Sequence, residues 1–355
     1  MKLLTILGAR PQFIKASSLS REIKNHSDVD EVIIHTGQHY DNNMSSVFFD
    51  EMKIHKPKYF LGIGGGSHAE MTGKMLIKIG EILNKENPDW VVVYGDTNST
   101  LAGALAASKL NIKVAHIEAG LRSFNMSMPE EINRILTDRI SSLLFCPTAT
   151  AVQNLKVEGF DSFDCNIHNV GDIMREGALY YSKISKPPLN FKKAKPFNLV
   201  TIHRAENTDD PLKIKSIFSA LNELGKNSRL ILPVHPRTQK VIKNLKIDTS
   251  YIELISPLGY LEMIWMISNS NKILTDSGGL QKEAFFFSIP CITLREETEW
   301  VELVDNNFNI LVGSDKTKIT EAFYSHVFNP DFNLDLYGVD SASKKIVSIM
   351  KQYKL

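Results

Sequence analysis

The feature that most limits how this chain can fold is an alternation of two patterns. Short runs rich in Val, Ile and Leu stand at residues 3–7, 32–35, 90–94, 114–117 and 143–146. Amphipathic stretches of helical length lie between them, at 13–24, 69–83, 101–110 and 130–140. Strands that are continuously apolar are buried on both faces, and their alternation with helices gives a parallel sheet covered on both sides. The rhythm restarts at 199–203, 230–234, 252–255, 273–275, 291–294 and 310–312, with 211–224 and 280–287 among the helices. The segment 183–197, KISKPPLNFKKAKPF, is rich in Pro and Lys and suits a linker. The expected fold class is therefore α/β, with two Rossmann-like doubly wound domains at residues 1–182 and 183–340. No short repeat is visible, which argues against a solenoid.

At 355 residues the chain exceeds what one core usually supports, about 250–300 residues, in line with two domains. Lys and Arg number 41 against 40 Asp and Glu, so the clustered basic excess of a nucleic-acid binder is not expected. A small anion remains possible, because it needs only a local group of donors. Cys146, Cys165 and Cys291 are too few and scattered for a disulfide framework, and no CxxC metal spacing occurs. No run approaches the roughly 18 apolar residues of a membrane span, and the N-terminus lacks a signal-peptide pattern. The expectation is a cytoplasmic protein with no metal, nucleic-acid or membrane partner.

Ligands of open α/β sheets bind beyond the carboxyl ends of the strands, so the residues after each strand are the informative ones. After the first comes Gly8-Ala9-Arg10-Pro11-Gln12-Phe13-Ile14-Lys15. Pro11 suits the start of a helix, and Arg10 and Lys15 lie where an anion would meet a helix N-terminus. An exposed turn with ordinary surface cations fits the same residues. No GxGxxG follows this strand, which argues against a dinucleotide. After the third apolar run Asp96 is the second residue of GDTNST, where a helix cap is the commoner reading. Next comes HIEAGLR, with Glu118 and Arg122, and then PEEINR, with Glu130 and Glu131 in a first helical turn that favours acids anyway. Asp96, Glu118 and Glu130 would share one rim of the sheet, and clustered carboxylates raise one another's pKa, which favours an acid/base site. In the second half, His203-Arg204, His235-Pro236-Arg237 and Asp276-Ser277-Gly278-Gly279 follow strands. Strand, Ser-Gly-Gly and helix suit a pyrophosphate, with Glu283 placed for ribose hydroxyls, although a plain tight turn reads the same way.

Together, GARPQFIK, GDTNST, HIEAGLRS…PEEINR, HR, HPR and TDSGG…KEA resemble the non-hydrolysing UDP-N-acetylglucosamine 2-epimerase family, in order from residue 1 to about 350. QFIKA, HRAENTDD, YLEMIW and TEWVE are most similar to the branch acting on UDP-2,3-diacetamido-2,3-dideoxy-glucuronate. The resemblance implies a glycosyltransferase-B-type architecture, UDP in an interdomain cleft, a homodimer, and a C-terminal helix (341–355) packing back on the N-terminal domain. It implies catalytic roles for Asp96, Glu118, Glu130 and His203. It implies substrate or UDP contacts at Arg10, Lys15, Glu131, Arg122, Arg204, His235, Ser277, Gly278, Gly279 and Glu283, and no cofactor. Two departures fit the uronate branch. Trp300 follows Thr298-Glu299 where better-known members have Arg, and Leu258 and Met263 stand where others contact uracil through Gln and Phe.

The C2 proton of an amino sugar is not acidic, so inversion there needs either transient oxidation or elimination of UDP across C1–C2. The sequence carries no nicotinamide fingerprint, which favours elimination. Asp96, Glu118 and Glu130 are the expected proton-transfer groups. The rival activities are a hydrolysing epimerase, a glycosyltransferase needing an acceptor, and a non-catalytic sensor. A uronate would also need a cation, for which Arg122, Arg204 and Arg237 are the candidates.

Overall fold

The computed structural model describes residues 1–38, 54, 56–189, 191, 196–325 and 331–353. The chain divides into two compact units, Met1–Gly177 with Asp335–Leu355, and Ala178–Leu334.

The first unit is built on a parallel sheet in the order β3-β2-β1-β4-β5-β6-β7. Its strands are β1 (Lys2–Leu7), β2 (Asp30–His35), β3 (Tyr59–Phe60), β4 (Trp90–Tyr94), β5 (Lys113–Ile117), β6 (Leu143–Cys146) and β7 (Asn166–Asn169). The helices that frame the site are α1 (Arg10–Ile23), α2 (His68–Glu86), α3 (Asn98–Lys109) and α4 (Pro129–Arg139). The inner strands are sealed because their residues are apolar on both faces; every residue of β4 is buried. α3 buries Ala102, Gly103, Ala104, Ala106 and Ala107, so its small residues let it lie close against the sheet. β3 and β7 are edge strands, short and partly exposed, with no apolar run to announce them. The helix Ala342–Gln352 returns to this unit and packs against α1, and Lys351 pairs with Asp28.

The second unit repeats the plan, with the order β10-β9-β8-β11-β12-β13. These strands are β8 (Asn198–Thr201), β9 (Leu230–Pro233), β10 (Glu253–Ile255), β11 (Ile273–Thr275), β12 (Cys291–Thr293) and β13 (Asn309–Leu311). Its core gathers Val200, Leu232, Leu274 and Ile292 from the sheet with Ile214, Phe218 and Leu221 from the helix Pro211–Gly225.

In both sheets the winding reverses beside the first strand, between β1 and β4 and between β8 and β11. At such a reversal the connections leave to opposite faces and open a crevice at the strand ends. The sequence-picked turns Gly8–Lys15 and Gly95–Asp96 flank the first reversal, and His203–Arg204 and Asp276–Gly279 flank the second.

Candidate active site

At the first reversal the two turns are tied together by Gln12. It is 1% exposed, and its Oε1 accepts from the N–H groups of Gly8 (2.8 Å) and Ala9 (3.0 Å). Its Nε2 donates to the carbonyl of Tyr94 and the hydroxyls of Thr97 and Thr100, each at 2.9 Å. The cap of α3 is Thr97, whose side chain accepts from the Thr100 N–H. Asp96 is therefore not the cap, and its carboxylate stays on the rim, about a third exposed, where Arg134 holds it. Asn133 donates to the Asp96 carbonyl at 2.8 Å, so α4 grips this turn through both residues.

Glu118 follows β5 with φ of 71°, a left-handed conformation that costs a non-glycine residue energy and tends to occur at functional sites. The N–H groups of Glu118 and Ala119 share the Phe145 carbonyl, at 3.0 and 3.1 Å, which stabilises the turn. The Glu118 carboxylate pairs with Lys15. Both groups lie over Gly95, where an added Cβ would sit 3.3 Å from Glu118 Oε1 and from Lys15 Nζ. Glu118 and Asp96 thus leave adjoining turns.

The two glutamates opening α4 divide their tasks. Glu131 is fully buried and accepts from Ser123 N, Ser123 Oγ and Phe124 N, each at 2.9 Å, and from Arg134. Burial would raise its pKa, but these donors outweigh it and the net shift is downward. Glu130 is half-buried and has no hydrogen-bonded or ionic side-chain partner among the described residues. Arg134 lies between Glu131 and Asp96; burial opposes its charge, and the two carboxylates more than restore it.

Several expected ligand contacts are otherwise engaged. Arg122 is 5% exposed; its Nε and Nη2 meet Glu158 at 2.6 and 2.9 Å, and its Nη1 meets Asp138 at 2.7 Å. With every face of the guanidinium used internally, Arg122 is a strut and not a free cation, and Glu131 is likewise committed to the backbone. Lys15, expected at a phosphate, faces Glu118. The side chain of Arg10 lies outside the described residues, although its backbone opens α1.

At the second reversal Asp276 is the hub. Fully buried, it accepts from the N–H groups of His203 and Arg204, the latter at 3.0 Å, and from Asn207 at 3.2 Å. His203 Nδ1 lies 3.4 Å from Asp276 Oδ1. Burial lowers the His203 pKa; Asp276 opposes this, while Arg204 and His235 add to it. The His203 ring lies 5.7 Å from that of His235, whose Nδ1 accepts from the Arg237 N–H and caps its own helix. Arg237 pairs with Asp209 at the surface.

Ser277, Gly278 and Gly279 begin the helix Gly278–Phe286, and Ser277 N–H donates to the Thr275 hydroxyl. Glu283, one turn on, accepts from the Tyr260 hydroxyl at 3.2 Å. An added Cβ at Gly278 would meet Glu299 Oε1 at 2.2 Å and lie 3.6 Å from Arg204 Nη2, which places both side chains at this helix end. Arg295 holds Glu299 at 2.9 Å. Arg204 has no side-chain hydrogen bond or ion pair among the described residues. Trp300 is buried, with the ammonium of Lys282 4.0 Å from its ring centroid.

The tasks of Gln12, His116, Arg134, Asp138, Asp276 and Glu299 were not legible from the sequence, although all but Asp138 stand inside motifs read there. Arg134 stands one helical turn after Glu130 and Glu131, the spacing at which side chains on a helix meet.

A family model described as UDP-N-acetylglucosamine 2-epimerase matches residues 21–351. The sequence is 53% identical over 352 residues to the UDP-2,3-diacetamido-2,3-dideoxy-D-glucuronate 2-epimerase of Pseudomonas aeruginosa, covering 99% of each chain. It is also 53% identical over 365 residues to a UDP-N-acetylglucosamine 2-epimerase homolog of Methanococcus maripaludis, again covering 99% of each. The structure of the Methanocaldococcus jannaschii UDP-GlcNAc 2-epimerase, in complex with UDP-GlcNAc and UDP, is 44% identical in sequence. It superposes with a TM-score of 0.89, covering 99% of this chain and 100% of that one.

Proposed function

We propose that this chain, which belongs to the UDP-N-acetylglucosamine 2-epimerase family, is an isomerase that inverts C2 of a UDP-linked 2-acetamido sugar without net hydrolysis. Its substrate would be UDP-2,3-diacetamido-2,3-dideoxy-glucuronate, converted to the manno epimer. The observation that carries the substrate reading is the end-to-end similarity to the Pseudomonas enzyme of that name.

In this mechanism a carboxylate of the first unit removes the C2 proton while the C1–O bond to UDP breaks. The electron pair of the C–H bond becomes the C1–C2 double bond, and the pair of the broken bond leaves with UDP. A second acid protonates C2 from the opposite face, and UDP adds back to C1. Asp96, Glu118 and Glu130 share the proton transfers, with Lys15 and Arg134 balancing their charge. The adjoining turns of Asp96 and Glu118 and the rim position of Asp96 support this assignment for those two. His203 and the Ser277–Gly279 turn of the second unit hold the departing UDP with Glu283 on the ribose, and Arg10 of the first unit is a further phosphate contact. Of the three arginines considered for the uronate carboxylate, Arg204 has no side-chain hydrogen bond or ion pair among the described residues, and it takes that role. The enzyme would work as a cytoplasmic homodimer in surface-polysaccharide synthesis, O-antigen included. No helix among the described residues is long and apolar enough to cross a membrane.

A second reading, UDP-N-acetylglucosamine to UDP-N-acetylmannosamine, is favoured by the likeness to the Methanocaldococcus structure. Purified enzyme offered both nucleotides in deuterated water decides between them. The proposal expects turnover of the uronate without an acceptor, deuterium at C2 and no stoichiometric free UDP. Exclusive turnover of UDP-N-acetylglucosamine would establish the second reading, and free sugar with UDP would establish a hydrolase.

A further inference from the structure

His116 is the penultimate residue of β5 and is fully buried. Both its ring nitrogens face oxygens: Nδ1 lies 2.7 Å from Asp138 Oδ1, and Nε2 lies 2.7 Å from the carbonyl of Gly95. A backbone carbonyl only accepts, so Nε2 carries a proton and donates it to Gly95. Asp138, also fully buried, has two further donors on its other oxygen. Its Oδ2 accepts from the Gly120 N–H at 3.1 Å and from Arg122 at 2.7 Å, and Arg122 also donates to the Leu121 carbonyl. Burial alone would favour the protonated acid; His116 and Arg122 outweigh it and hold the Asp138 carboxyl below the usual range.

The groups caught by this pair are the two glycine turns beside the acid/base carboxylates. Gly95, with φ of 62°, immediately precedes Asp96, and Gly120, with φ of 78°, follows Glu118 by two residues. Glycine at positive φ has several backbone states within reach, so such a turn is free to rotate its peptides unless something fixes them. In a trans peptide the carbonyl and the following N–H point opposite ways. Anchoring Gly95 O on His116 therefore also sets the direction in which the Asp96 N–H leaves the strand. Asp138 lies eight residues after Glu130 and four after Arg134 on α4, so the helix that carries the third carboxylate also carries the clamp for the other two.

We propose that the buried His116–Asp138 pair is a positioning device that holds the Asp96 and Glu118 turns in register with each other and with α4. This rests on the reading of Asp96 and Glu118 as the acid/base groups. The device touches no substrate, so its loss should slow the chemical step and spare nucleotide binding.

The test compares His116→Phe, His116→Gln and Asp138→Asn with Asp96→Asn and Glu118→Gln, measuring kcat, KM, UDP affinity by calorimetry and thermal unfolding. Phe keeps the ring and removes both nitrogens, whereas the Gln amide can still donate toward Gly95. Small misplacement of catalytic groups can cost about 100-fold, so kcat of His116→Phe should fall at least about 30-fold. KM and UDP affinity should stay within about threefold, His116→Gln should recover much of the rate, and Asp138→Asn should fall between. A His116→Phe enzyme within threefold of native kcat overturns the proposal. So does a parallel loss of UDP affinity, or failure of all three variants to fold, since the pair would then hold the whole unit and not the turns. Near-native Asp96→Asn and Glu118→Gln enzymes would instead remove the acid/base reading beneath it. Loss in those two with a normal His116→Phe would remove the positioning proposal alone.

Discussion

The ammonium of Lys15 and the carboxylate of Glu118, 103 residues apart in sequence, form an ion pair in which neither side chain is a tenth exposed. A cation expected to meet a phosphate is thus the immediate neighbour of a proposed proton-transfer group. Removing it has a consequence for stability as well as for rate. Lys15→Met should destabilise the first unit by about 3–5 kcal/mol, because it leaves an uncompensated buried charge. Glu118→Gln in the same chain should restore most of that loss. Urea unfolding of the single and double variants measures the coupling.

Asp96→Asn and Glu118→Gln each remove a group proposed to move a proton, a contribution of typically ~10²–10⁴ in rate. Each should lose at least about two decades of epimerisation with UDP binding retained. Glu131→Gln should act differently, lowering thermal stability through lost contacts to Ser123, Phe124 and Arg134. Paired kinetic and calorimetric measurements separate the two behaviours.

The His35 ring lies fully buried between Phe13 and Phe60, and burial lowers its pKa to about 4. Its Nδ1 accepts from the Gly37 N–H at 2.9 Å. Because the folded-state pKa lies below the unfolded value, the unfolded chain takes up the proton first as pH falls. The stabilising effect is complete above about pH 6.5 and is lost progressively toward pH 4, up to about 3 kcal/mol. Urea unfolding at pH 7 and pH 4.5 should show this loss, and His35→Gln should reduce it.

Arg204 stands half-buried at the start of the Gly278 helix, near Glu299, with no side-chain hydrogen bond or ion pair among the described residues. A charge-assisted hydrogen bond to a uronate carboxylate contributes about 1.5–3 kcal/mol. Arg204→Met should therefore raise KM for the diacetamido uronate roughly 10- to 100-fold. It should leave any turnover of UDP-N-acetylglucosamine within a few-fold. Equal loss on both nucleotides would place Arg204 on the pyrophosphate instead.

The sequence by itself determined the two sheets, their parallel character and the identity of the turns at their reversal points. Strands such as Trp90–Tyr94 and Leu143–Cys146 are apolar on both faces, a pattern that only double burial explains. The short edge strands Tyr59–Phe60 and Asn166–Asn169 gave no such signal, because pairing on one side asks little of their side chains. The three carboxylates were legible because each follows a strand or opens a helix. What each would touch was decided only by the tertiary structure. Glu130 and Glu131 are neighbours in sequence and alike in chemistry, and the roughly 100° step of a helix turns one outward and the other onto the Ser123–Phe124 backbone. Arg122 looked like a ligand cation until folding brought Asp138 and Glu158 to it from 16 and 36 residues away. Hydrogen bonds between distant segments depend on where the sheet places its strand ends, and residue spacing carries no record of that.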